Sequence, residues 1–176
     1  MLELIEGAPD RDTFDRLFSE AWDKIAAERQ RVGDRALRES LWESLHANIA
    51  YTYVLDGYVV GCGSHRDLEI GEEKWLWYTY PTLGCDANGS RAWFYGEDFQ
   101  RVGATKRREQ GYAGMIVVAN SSSPAKAAVE SVWGTYAGHW QTPEVVTADS
   151  VFGPLSTDAL RAATVFKIRL AEVSDA

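Results

Sequence analysis

The chain has 176 residues, 45% of them hydrophobic and 25% charged, with a formal net charge of -8. That length holds one domain with a full core, and the acidic balance argues against a broad nucleic-acid surface, because phosphate contacts need a basic footprint. Two cysteines, Cys62 and Cys85, are too few for a disulfide framework, and no apolar run or charged-then-apolar leader points to a membrane, so the sequence reads as cytoplasmic with no membrane partner.

In chain order, LELIE at residues 2–6 alternates as a short strand does. Asp12 offers an N-cap to a first helix in which Phe14, Leu17, Phe18, Ala21, Trp22 and Ile25 recur at helical spacing. Beyond Gly33 a second helix carries Leu37, Leu41 and Leu45 on one stripe. From residue 50 the period changes to alternation: AYTYVLDGYVVGCGSH predicts two strands joined at Asp56-Gly57, a dipeptide suited to the φ > 0 positions of a tight hairpin. EKWLWYTYP predicts a third strand, ended or bent by Pro81, which cannot donate to a ladder.

The next stretch, GCDANGSRAWF, passes from small polar residues to a predicted helix over about Ser90 to Glu109, although Gly96 and Gly103 each weaken it. GMIVVAN at 114–120 has the continuous apolar character of a central strand covered on both faces. Ser123 and Pro124 open a last long helix with a stripe of Ala125, Val129, Val132, Trp133 and Tyr136. EVVTADSVF and TVFKIRL predict two further strands, separated by a Gly-Pro turn. The order predicts an α+β fold, a single domain over residues 1–176, with a central mixed sheet of about seven strands flanked by about four helices.

Two readings of the residues around Gly89 compete. A helix start leaves amides pointing outward at the positive end of the dipole, a geometry that receives a phosphate; Gly89, Ser90, Arg91 and Ala92 would supply it. Alternatively Asn88 or Ser90 caps the helix and Arg91 is solvated. Three histidines and two cysteines at no ligand spacing give no metal pattern, and there is no Walker loop, dinucleotide fingerprint or nucleophile elbow.

Three pieces in register, VLDGYVVGCG, WLWYTYPTLGCDANGSRAWF and IVVANSSSPAKAAVESVWGTY, resemble successive segments of the GCN5-related N-acetyltransferase superfamily: its hairpin, its fourth strand with the pyrophosphate loop and third helix, and its fifth strand with the following turn and fourth helix. The resemblance spans Leu2 to about Leu170 and implies an acyl-CoA N-acyltransferase-like fold. It also implies direct transfer of an acyl group from acetyl-CoA, or another acyl-CoA, to an amine acceptor without a covalent enzyme intermediate. The cofactor would lie where the fourth and fifth strands splay. Its pyrophosphate would rest on Gly89 to Ala92, its thioester arm along the backbone of Tyr80, Pro81 and Thr82, with Asn120 beside it. The family's loop has a glutamine or arginine and two glycines spaced two apart, whereas this chain shows Gly89 alone.

Acyl transfer needs a neutral amine and a proton returned to the leaving thiolate. The resemblance places base candidates among Glu69, Glu72 and Glu73, with His65 and Asp67 further back, and the acid at Tyr136. Each carboxylate also reads as a solvated hairpin charge, and a lone strand histidine as a structural one. Exposed sheet edges would allow a homodimer. Two other functions stay open: a binding or structural module that keeps the fold without the cofactor, and an enzyme acting on nucleic-acid bases, which the acidic charge disfavours.

Overall fold

The structure, a computed structural model, describes residues 1–21, 29–79, 81–92, 96–119 and 138–173. The helix expected after Ser123 lies outside the described residues. The chain separates into two compact units, Met1–Arg66 with Thr79–Val102, and Asp67–Tyr78 with Gly103–Ala176.

In the first unit, β1 (Leu2–Glu6) pairs antiparallel with β2 (Ile49–Leu55), and β2 with β3 (Tyr58–Ile70), of which residues up to Arg66 belong here. The predicted hairpin is present: Asp56 and Gly57 have φ of 50° and 80°, the left-handed conformation that an Asp-Gly pair tolerates. Helices α1 (Arg11–Glu20) and α2 (Asp34–Ala47) supply Phe14, Leu17, Phe18, Leu37 and Leu45 to a core that also holds Ala21 and Cys62. The cap of α1 is Asp10 rather than Asp12, because it is the Asp10 carboxylate that accepts the Thr13 amide at 2.8 Å. The helix stops at Glu20, since Ala21 is already extended, and Trp22 and Ile25 lie outside the described residues.

Charge ties α1 to α2. The Arg11 guanidinium bonds Asp15 on its own helix and both oxygens of Glu39 on α2, at 3.2 and 2.6 Å, and lies over the Trp42 ring. Arg38 reaches back to Asp15 and along α2 to Asp34. Bidentate pairs of this kind fix orientation as well as proximity.

In the second unit, the end of β3 is followed by β4 (Glu73–Tyr78), which runs parallel to β6 (Gly114–Ala119); β6 pairs antiparallel with β8 (Thr164–Arg169), and β8 with β7 (Glu144–Val146). All of β6 but Val118 is buried, as its unbroken apolar run predicts. One face carries Trp75, Ile116 and Val165 into a core closed by Ala148, Val151 and Phe152. Gly114 is required where β4, β6 and β8 meet. A Cβ there would run into the Ile168 carbonyl, 2.5 Å from the Trp75 ring and 2.8 Å from the Arg169 Cα.

Two segments differ from expectation. EVVTADSVF is strand only over β7; α4 (Ala148–Phe152) follows, because the Thr147 hydroxyl accepts the Ser150 amide and starts a helix. A second Thr cap, Thr157, starts α5 (Asp158–Ala162). The helix expected from Ser90 begins instead at Glu97, as α3 (Glu97–Glu109). With β5 (Thr82–Leu83), which pairs antiparallel with β3 in the first unit, the described residues hold eight strands of mixed direction in an α+β arrangement. No described helix is long and apolar enough to cross a membrane.

Three carboxyls are held below the usual carboxylate range: Asp10 by the Thr13 amide, Glu39 by Arg11 and Glu73 by Arg169. A depressed carboxyl contributes stability that is present above its unfolded value and lost as pH falls through its folded value. Melting temperature should therefore hold from pH 7 to about 5 and fall steadily below about pH 4.5, and Glu39→Gln should flatten that fall; a melting temperature unchanged down to pH 3 contradicts it. Gly114→Ala should cost about 1–3 kcal/mol in urea unfolding, and an unchanged midpoint would mean that the three strands can separate to admit a methyl group.

Candidate active site

A strand leaves its neighbour only if its backbone polar groups find other partners. In the second unit the pairing of β4 with β6 runs from Trp75–Gly114 to Tyr78–Val117 and ends there, while β6 continues through Val118 and Ala119 in register with β8. Among the described residues the parallel pairing therefore ends at the C-terminal end of β4. In open α/β sheets ligands enter at such points.

In the first unit the chain resumes at Thr79, whose amide donates to the Ser64 carbonyl at 3.4 Å, and Thr82 then pairs with Cys62. Between these anchors β3 takes two steps, from Ser64 to Cys62, and the facing segment takes three, from Thr79 to Thr82. The facing segment thus has one residue more than β3 between these anchors. Pro81 suits the place because it has no amide to satisfy. The Tyr51 hydroxyl donates to the Thr79 carbonyl at 3.4 Å and fills the space that Gly63 leaves, where a Cβ would stand 2.5 Å from that hydroxyl and 3.3 Å from the Pro81 Cα.

The loop after β5 is closed by its own groups. The Asp86 carboxylate accepts the amides of Asn88 and Ser90 at 2.8 and 2.9 Å, the Asp86 carbonyl accepts that of Gly89, and the Gly84 carbonyl accepts that of Ala92. Cys85 and Arg91 form a bridge across its base, and the Glu20 carboxylate holds the Cys85 amide at 2.8 Å. Gly89 has φ of 79°, so the turn itself requires it. The amides of Gly89, Ser90 and Ala92, expected to open a helix and face a phosphate, are thus engaged within a turn. Asp86 outcompetes the helix because a short carboxylate caps amides two and four residues ahead without any regular structure.

Of the residues expected at the acid–base step, His65 is 2% exposed and stacks on Tyr51, with ring centroids 6.0 Å apart. Glu73 sits at the start of β4, about 16 Å along the strand from Tyr78 at the usual rise per residue, and is bound by both nitrogens of Arg169 at 2.6 and 2.8 Å. Asp67 accepts the Tyr112 hydroxyl at 2.5 Å. Glu69 and Glu72 are exposed. Tyr80, Asn120 and Tyr136 lie outside the described residues. No group of His, Cys, Asp or Glu side chains among the described residues could hold a metal ion.

The sequence reading missed the two serines that join α2 to β3. The hydroxyls of Ser44 and Ser64 stand 3.1 Å apart, and the Asn48 side-chain amide donates to Ser44. Beside them is a small cavity that Thr79 and Thr82 also line. A signal was present: Ser44 interrupts the stripe of Leu37, Leu41 and Leu45, and a polar residue on an apolar helix face marks a buried hydrogen bond.

No family model and no curated protein matches the sequence. Solved structures do match. An acetyltransferase of Bacillus subtilis in complex with CoA is 10% identical, with a TM-score of 0.51 over 98% of this chain and 100% of that one. N-acetylglutamate synthase of Neisseria gonorrhoeae, complexed with coenzyme A and N-acetyl-glutamate, is 12% identical at a TM-score of 0.51, over 98% of this chain and 36% of that one. At such identities the likeness is one of fold: the chain carries an acyl-CoA N-acyltransferase-like fold.

Proposed function

We propose that the protein transfers an acyl group, acetyl in the first instance, from acyl-coenzyme A to an amine by direct attack. The observation that carries this reading is that, among the described residues, the β4–β6 pairing ends at Tyr78–Val117 while β6 continues beside β8, in a fold shared with a structure that holds CoA. The residue in excess between Thr79 and Thr82, an interruption of regular pairing within the first unit, also supports it. When bound, the thioester supplies an activated acyl group with a thiolate leaving group.

The chain's own residues then divide as follows. Backbone groups at Pro81 and Thr82, with Tyr80, orient the arm. The diphosphate contact falls to the Arg91 side chain rather than to the amides of Gly89, Ser90 and Ala92, which Asp86 and Gly84 already engage. For proton removal we favour His65 over Glu73. His65 follows directly on Ser64, the residue that anchors Thr79, whereas Glu73 stands at the far end of β4 with its carboxyl held anionic and weakly basic by Arg169. Tyr136 and Asn120 keep the roles that the resemblance gives them, acid and cofactor contact.

One observation favours a second reading, a module that retains the fold without the cofactor: the loop expected to grip the diphosphate is closed on itself. Titration separates the two. Coenzyme A at a hundred times its dissociation constant should add about 2.7 kcal/mol of stability, and no shift at millimolar cofactor would establish the module instead. Arg91→Ala should weaken that binding about tenfold, the loss of one charge-assisted contact. His65→Gln should leave cofactor affinity intact and lower kcat about 100-fold or more; an unchanged kcat would remove His65 from the mechanism.

A further inference from the structure

Of the three asparagines in the chain, Asn48 precedes Ile49, Asn120 precedes Ser121, and Asn88 precedes Gly89. An asparagine side chain holds an electrophilic carbonyl carbon within reach of the next residue's backbone nitrogen. A side chain on that next residue obstructs closure between them, and glycine has none. Asn48 is protected. Ile49 is β-branched, and the Asn48 side-chain amide donates to the Ser44 carbonyl and hydroxyl, both at 3.1 Å, while its oxygen accepts Arg66 at 2.8 Å. Asn88 is exposed, as are Ala87, Gly89 and Ser90 around it. Among the described residues its side chain holds no hydrogen bond; only its backbone amide is engaged.

The turn itself opposes closure. The attacking nitrogen is that of Gly89, and it attacks only after losing its proton. Here that N–H donates to the Asp86 carbonyl at 3.0 Å, and the amides on either side, those of Asn88 and Ser90, donate to the Asp86 carboxylate. The hydrogen bond keeps the proton in place, and the carboxylate disfavours a second negative charge on the nitrogen between those amides. Opening the turn removes both restraints, and an exposed loop opens far more often than a core unfolds.

We propose that Asn88 is a site of spontaneous deamidation whose rate is set by the Asp86 turn. The Gly89 nitrogen gives up its proton and attacks the Asn88 side-chain carbonyl carbon. A C–N bond forms there as the C–NH2 bond breaks, and ammonia leaves a succinimide ring. Water then opens the ring at one of its two carbonyls, giving aspartate or isoaspartate with no change of oxidation state. Either product sets a second carboxylate next to Asp86. Isoaspartate also adds a carbon to the main chain, so Ser90 loses its register with the Asp86 carboxylate. A further consequence rests on the acyl-transfer reading above: the new charge works against a diphosphate at Arg91.

Peptide mapping by mass spectrometry of the full chain, aged in mildly alkaline buffer, tests the site without coenzyme A. The Asn88 peptide should gain the mass that separates an acid from its amide, with aspartate and isoaspartate forms resolved by chromatography, while Asn48 stays unchanged. Asp86→Ala should speed conversion about tenfold or more, the weight of the charge-assisted hydrogen bonds that hold the turn shut. Wild-type chain in denaturant should convert faster as well, and that comparison decides alone if the variant does not fold. No conversion of Asn88 in the native chain, or conversion no faster in the open forms, overturns the proposal. Coenzyme A titrated into aged and fresh chain reads the consequence at Arg91, with weaker binding expected after conversion. No binding to the fresh chain would overturn the acyl-transfer reading and leave the modification site standing.

Discussion

The site depends on one obligation of the backbone: a strand that abandons its neighbour must satisfy its amides and carbonyls elsewhere. Among the described residues β4 pairs with β6 as far as Tyr78. The chain then finds Ser64 and Cys62 on β3, and the mismatch in step between the two anchors is absorbed by a segment containing a proline. Gly63 and Tyr51 are consequences of that arrangement. The glycine leaves room for the tyrosine hydroxyl, and the hydroxyl in turn holds the Thr79 carbonyl that the irregular step leaves over. Where the ladder is interrupted, side chains take over its hydrogen bonds.

Carboxylates do much of that work in this acidic chain. Asp10 caps α1, Asp86 closes the turn before Arg91, and Glu20 holds the Cys85 amide while Arg16 pairs with it. These are not solvated charges awaiting a partner; each replaces a backbone acceptor that regular structure would have provided. The same logic accounts for Glu73, whose bidentate pair with Arg169 ties β4 to β8 across the intervening β6.

What the sequence makes legible follows from how local the determining interaction is. The Asp56-Gly57 hairpin, the leucine stripe of α2 and the buried run of β6 were readable because period and turn chemistry act within a few residues. The errors arose where a side chain competed with the expected periodicity: Asp10 and not Asp12 at the first cap, Thr147 converting the end of a strand into α4, and Asp86 delaying the helix to Glu97. The candidate site was less legible still. Glu73 looked like a hairpin charge free to act as a base, because its partner, Arg169, lies 96 residues on. Likewise the meeting of Ser44 with Ser64 is a product of helix-on-sheet packing, and the burial of His65 beside Tyr51 one of strand pairing, which no local window contains.

The two thiols stand in contrasting environments. Cys62 lies sealed in the core under the helices and stays protonated, while Cys85 is half-exposed at the base of the closed turn. A maleimide dye would therefore discriminate between them without mutagenesis, giving the native chain one addressable handle at the foot of the loop whose opening or closure matters most.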